Sequence, residues 1–276
     1  MIHFQTFQIV YDDDTAARHD PGFELLDNFG NERPDWYEYW PIRKYLLSND
    51  LDEQSYYAFF SPRFGQKTGL NAEDVRRTLA RHTEDVVLFS PFLDLAALYF
   101  NQLDQGESVH PGLAALVAGI VPIGLPGSLL LQDATNTVFC NFFAAKPAFW
   151  KAWLARCETV FALAERGEGT LAGQLLAPSD YEDGKTAHYK VFLIERMASL
   201  LLATDRRWRA AAPFALKLPL AIPRLENDRD RLIRLDKLKF DAVRAKDPVP
   251  LLRQYVVERE QMVGELTGAA RAASQG

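Results

Sequence analysis

A chain of 276 residues, 48% of them hydrophobic, can bury one full core with an appendage and is too short for two large independent domains. Its 31 basic residues against 37 acidic ones leave a net charge of −6, which repels a phosphate backbone at long range and sets nucleic acid aside as a partner. Cys140 and Cys157 form no CxxC pair and have no His cluster near them, so neither a zinc site nor a disulfide framework is suggested and a reducing, cytoplasmic compartment fits.

The opening MIHFQTFQIVYDDD lacks a basic leader with an apolar core and a cleavage site, so no secretory signal is expected. His3 to Tyr11 alternates in part and predicts a first strand running into a polar loop at Asp12, Asp13 and Asp14. Asp35 to Tyr45, DWYEYWPIRKY, sets Trp36 and Trp40 around Glu38. Such an aromatic belt either stacks on a sugar or caps the core. Tyr56 to Phe60, YYAFF, predicts a second strand. It runs into SPRFGQKTG, where Arg63, Lys67, hydroxyls and glycines make an anion cradle or a loop of solvated cations. That loop is neither a Walker sequence nor GxGxxG.

Asn71 predicts the cap of a helix through Arg81 that feeds the next strand, Val86 to Phe89, with a parallel pairing between the two strands. Beyond that strand stand Asp94, Glu107 and His110. In an open α/β sheet the ligand crevice lies past the carboxyl ends of the strands, so these three are candidates for proton transfer. Their structural alternatives are a helix cap, a surface carboxylate and a loop-stabilising His. Glu107 and His110, three apart, can converge so that the carboxylate orients the imidazole.

The uncharged run from Pro111 to Gln132 raises the question of membrane contact, but Pro122, Gly124, Pro126 and Gly127 break it. A buried helix to Gly119, an apolar loop and a short strand are expected instead. Thr137 to Phe143 predicts an interior strand, and Lys146-Pro147 opens a helix through Glu165 with Gly167 beyond it. Ala177 to Thr186 reads as a loop able to act as a lid. His188 to Thr204 predicts one helix, with Glu195 inside the apolar stripe of Val191, Ala198 and Leu202, either paired to a core Arg or facing a cleft. From Pro223 the charge rises, giving an exposed helix with Leu232, Leu235 and Leu238 inward. Asp247-Pro248 breaks it, and a second helix runs through about Leu266. The expected organisation is an α/β body over 1–222 and a helical arm over 223–276 that docks on the body or on a second copy as a homodimer.

Taken together, FQTFQIVYDDD, YYAFFSPRFGQKTG, DVVLFSPFLD, QGESVHPG, CNFFAAKPAFWKAWL and FLIERMASLLL resemble bacterial glycosyltransferases of polysaccharide gene clusters. The likeness spans Phe4 to Leu202. It implies a mostly parallel, Rossmann-like sheet of the GT-A type flanked by helices, and transfer of a sugar from a nucleotide-sugar donor to a glycan or lipid-linked acceptor. It implies a cytoplasmic site, with peripheral contact to the inner membrane where the acceptor is lipid-linked. In that family the end of the first strand approaches the nucleotide, which here falls on Tyr11, Asp12, Asp13 and Asp14. A mid-chain DxD motif usually holds a divalent ion, Mn or Mg, against the diphosphate. This chain departs from that pattern, because Ser90-Pro91-Phe92-Leu93-Asp94 carries a single Asp and the DxD spacing of Asp12 and Asp14 lies at the first strand. Metal-dependent and metal-free transfer therefore both stand. The metal-free form places Arg63 and Lys67 against the leaving diphosphate, with Trp36, Glu38, Trp40 and Glu195 on the acceptor side. The competing reading is a noncatalytic carbohydrate- or partner-binding protein.

Overall fold

A computed structural model describes residues 3–121, 130–180 and 184–273, with side chains through 268. Its central sheet has six strands: β1 (His3–Val10), β2 (Glu24–Asp27), β3 (Ser55–Phe60), β4 (Val86–Leu88), β5 (Phe143–Ala145) and β8 (Ala210–Ala211). They lie in the order β2-β1-β3-β5-β4-β8. β1 pairs in parallel with β2 and β3, and β4 with β8, while β5 is antiparallel to both of its neighbours. β5 is thus the one reversed strand among those described in this sheet. The α/β architecture with a mostly parallel, helix-flanked sheet is consistent with a Rossmann-like fold.

The period of two in the strands explains the layers. β3 is buried at every position. Tyr57 and Phe59 face one apolar cluster with Ile42, Trp150, Trp153 and Leu193, while Tyr56, Ala58 and Phe60 face another with Phe64, Val75 and Leu79. The first layer comes from α2 (Tyr39–Ser48), α8 (Pro147–Arg166), α10 (Tyr189–Ile194) and α11 (Met197–Thr204); the second from α3 (Phe64–Thr68) and α4 (Ala72–Leu79). Local signals set these helices as expected. Asn71 and Asp74 close a capping box on α4, and α8 starts on Pro147 and stops at Gly167, whose φ of 67° suits the left-handed cap.

Several expectations are corrected. β3 and β4 run the same way but do not pair, because β5 is inserted between them. Thr137 to Phe143 is not a strand. Cys140 and Asn141 hold φ of 60° and 53°, which turns the backbone, and extension begins only at Phe143. Ser90 Oγ and Ser199 Oγ accept from Phe139 N and Val138 N and pin that turn at 2.7 Å each. The helix expected over His188–Thr204 is two helices broken at Glu195-Arg196. Asp12 caps a short helix, α1 (Asp13–Ala17), where a loop was expected. The lid segment is a hairpin of β6 (Pro178–Asp180) and β7 (Thr186–His188), with residues 181–183 outside the described ones. The apolar run gives α7 (Leu113–Ile120). Its breaker segment 122–129 lies outside the described residues, and residues 130–132 form no strand. Among the described residues no helix is long and apolar enough to cross a membrane.

The arm consists of α12 (Arg229–Arg244) and α13 (Val249–Ala273), which pack on α5 (Leu93–Leu98). Leu232, Leu235 and Leu238 are buried there, as their spacing predicts. The polar contacts are as definite as the apolar ones. Lys239 Nζ donates to the carbonyls of Ala96 and Tyr99, Tyr255 Oη to that of Ala97, and Arg259 Nε to that of Leu98. A helix leaves its last four carbonyls without intrahelical partners, and the arm supplies donors to all of these.

Candidate functional site

A cleft of about 330 Å³ opens where β3 and β4 end and β5 begins. Lys67 reaches it from α3, Phe92 from the turn after β4, and Phe139 and Cys140 from the turn before β5. The other wall comes from α6 (Gln102–Val109) through Gln102, Gln105 and Val109, joined by His110, Asp180, Phe192, Glu195 and Arg196. Position follows from topology: β5 runs against its neighbours, so its start lies at the same rim as their ends.

Backbone strain gathers at this rim. Phe92 (φ 74°) and Cys140 (φ 60°) line the cleft, Asn141 (φ 53°) follows, and Tyr37 (φ 48°) precedes Glu38. Each left-handed non-glycine residue costs on the order of 1–3 kcal/mol, so such a concentration marks a site that the surrounding fold holds in place.

The charges are mixed. Lys67 Nζ donates to Cys140 Sγ at 3.2 Å. Burial pushes that thiol up to about 11, against the pull of Lys67, while the Glu195 and Glu38 carboxylates add to the rise. Burial also raises the Glu38 carboxyl above its ordinary value, against the lowering effect of its own backbone N–H and of Lys67 and Arg63. The Tyr37 phenol is raised by burial first, then by Glu38 and Glu195. The Glu38 carboxyl thus lies in the field of Lys67 and Arg63, and the Cys140 thiol in that of Lys67, Glu195 and Glu38; of these charged groups Lys67 and Glu195 line the cleft. Glu195 lines the cleft from the turn between α10 and α11.

Other candidates have different surroundings. Asp94 is fully buried, and its two carboxylate oxygens accept from Ala221 N at 3.0 Å and Ile222 N at 2.8 Å, tying α5 to the segment that leads into the arm. Glu107 accepts from Gly112 N at 2.7 Å and Ala114 N at 2.9 Å, capping the start of α7. It does not orient His110, whose Nδ1 meets Ser179 Oγ at 2.9 Å. His110 lines the cleft and stacks on Phe192 with ring centroids 3.6 Å apart. Burial, helped by the Arg196 charge, lowers its imidazole to about 4, so the ring is neutral near pH 7. Trp36 is 1% exposed in the core, with Nε1 donating to Glu165, so neither ring face is open for stacking. Trp40 packs on Phe161 beside the Arg33 and Arg43 guanidinium groups and donates to Glu32. Tyr11, Asp12, Asp13 and Asp14 do not line the cleft. Asp12 accepts from Thr15 N at 2.8 Å, and Asp13 and Asp14 are exposed in the first turn of α1.

The sequence reading missed Gln102, Gln105, Asp180 and Arg196. Gln102, Gln105 and Val109 do carry a signal, since spacings of three and four place them on one helix face. Among the described residues no group of three or more carboxylate, imidazole or thiol side chains is placed to hold a metal ion. In comparisons with known proteins no family model matches the chain, and neither a curated protein nor a solved structure does.

Proposed function

We propose that the chain is a glycosyltransferase with a GT-A-like body, which moves a sugar from a nucleotide-sugar donor to a hydroxyl of a glycan or lipid-linked acceptor in cell-surface polysaccharide assembly. One observation carries the reading: Lys67 and Glu195 line a cleft beyond the strand ends of a mostly parallel sheet, and the Glu38 carboxyl close by lies in the field of both Lys67 and Arg63. The chemistry follows from their charges. Lys67 and Arg63 oppose the negative charge that grows on the leaving diphosphate, and a carboxylate, Glu195 first, takes the proton of the attacking hydroxyl as the new bond forms. Glu38 lies in the field of the two cations and offsets part of their charge. A cytoplasmic site that meets the inner membrane only through a lipid-linked acceptor belongs to the same proposal.

A second reading, noncatalytic carbohydrate binding, gains from the fact that the Asp94 and Glu107 carboxylates are occupied with backbone N–H groups. Calorimetry with uridine and guanosine diphosphate sugars, with and without manganese, separates the two. Transfer predicts heat with a nucleotide sugar; heat with glycans alone supports the second reading and counts against the first.

A further inference from the structure

We infer that Gln102 sets the specificity of the cleft by accepting, through Oε1, a hydrogen bond from a ring hydroxyl of the sugar bound there. That the ligand is a sugar rests on the glycosyltransferase reading; the open acceptor atom does not. Gln102 opens α6, which Asn101 caps by accepting from Leu103 N and Asp104 N. Its residue is only 2% exposed, yet it forms part of the cleft wall. Its backbone N donates to Gln132 Oε1 at 3.0 Å, and its Nε2 donates to the Arg196 carbonyl at 3.0 Å. The second bond decides which end of the carboxamide is oxygen. Oε1 is then buried with no hydrogen-bond partner among the described residues.

The surrounding groups keep it so. Arg196 donates from Nε to the Gln102 carbonyl at 3.2 Å, from Nη1 to the Phe192 carbonyl at 2.7 Å, and from Nη2 to Gln105 Oε1 at 2.9 Å. Gly106 makes room for that guanidinium, because a Cβ there would stand 2.6 Å from Arg196 Nε. Gln102 therefore cannot turn to satisfy Oε1 without giving up the Arg196 carbonyl. A buried acceptor held open by otherwise complete supports discriminates for a ligand that brings a donor, and rejects an analogue without one. The ligand class follows from the neighbours. The cleft wall mixes the Lys67 and Arg196 cations with the Glu195 and Asp180 carboxylates, Gln105 adds a carboxamide, and the His110 and Phe192 rings add apolar surface, a lining that suits a neutral polyhydroxylated ring.

Saturation-transfer NMR with the methyl glycosides of glucose, galactose, mannose and N-acetylglucosamine tests this, followed by the monodeoxy series of whichever binds. The wild-type protein should lose roughly 10- to 100-fold in affinity at one deoxy position. Gln102→Met, of similar length but with no acceptor oxygen, should bind the parent glycoside no better than that deoxy analogue, with the preference gone. Equal affinity across the wild-type deoxy series, no binding by any glycoside, a preference kept in Gln102→Met, or discrimination residing in the acetamido N–H would each overturn the assignment. Should Gln102→Met not fold, the wild-type series decides alone. Titrating uridine diphosphate separately, in wild type and in Lys67→Ala, tells failure of the nucleotide reading apart from failure of this one.

Discussion

The cleft and the seat of the C-terminal arm both bury polar groups, and they treat them in opposite ways. At the arm, Lys239 is fully buried and donates to two carbonyls, Tyr255 and Arg259 take two more, and Asp236 accepts from Ala134 N at 2.8 Å. Burial lowers the Lys239 ammonium to about 8 and raises the Asp236 carboxyl to about 6, while each charge partly restores the other. Every one of those groups is spent on the fold. At the cleft, by contrast, the backbone is strained at Phe92, Cys140 and Asn141, Lys67 and Arg196 share the wall with Asp180 and Glu195, and Gln102 keeps an unpartnered acceptor. Partners distinguish these two regions: the buried polar groups at the arm are complete, whereas Gln102 in the cleft wall keeps an unpartnered acceptor.

Substitutions can break or sharpen that contrast. The largest effect is expected at Glu195→Gln, which should lower kcat for sugar transfer by roughly 100- to 10,000-fold. Melting temperature should stay nearly unchanged if the carboxylate faces the cleft; a large drop in melting temperature would make it part of the joint instead. Lys239→Met leaves the Ala96 and Tyr99 carbonyls without their donor and should cost about 3 kcal/mol, read as a lower urea midpoint. Its effect on ligand affinity should be small by comparison, unless α5 shifts and carries Phe92 and Leu95 with it.

Arg63→Ala combined with Lys67→Ala should weaken nucleoside diphosphate binding by about 10- to 100-fold, with little change in thermal stability. The smallest effect is one of pH. The His110 imidazole sits at about 4 in the folded chain, against an ordinary value of 6.5. Between those values the unfolded chain binds the proton more readily, so His110 contributes its full share of stability above pH 6.5 and loses it as pH falls toward 4. Melting curves of His110→Phe should show a shallower loss over that window than wild type; parallel curves would remove His110 as a source of acid sensitivity.

Local chemistry made much of the fold readable. β3 announced itself as an aromatic run without charge, α4 through Asn71 and Asp74, and α8 through Pro147 and Gly167. β5 was hidden because its three residues are defined by antiparallel pairing with distant strands, while Val138 and Phe139 in the preceding turn look as strand-like in sequence as Phe143. The break at Glu195-Arg196 was hidden too, since the apolar pattern runs straight through it. Its consequence, an Arg196 side chain bonded back to the Phe192 carbonyl and across to α6, is tertiary.

Of the candidate site, Lys67, His110 and Glu195 were legible and line one cleft. Asp94 and Glu107 show the limit of such reading. A carboxylate that caps a helix start or ties down a distant loop has the same local sequence as one poised for chemistry, and only its partners distinguish them.

A crystal soaked with uridine or guanosine diphosphate puts the central claim to the most direct test. The account predicts the diphosphate in the cleft between the ends of β3 and β4, with its oxygens within hydrogen-bond distance of Lys67 and Arg63. A diphosphate bound on another face of the sheet, or bound in the cleft without either cation, would contradict it.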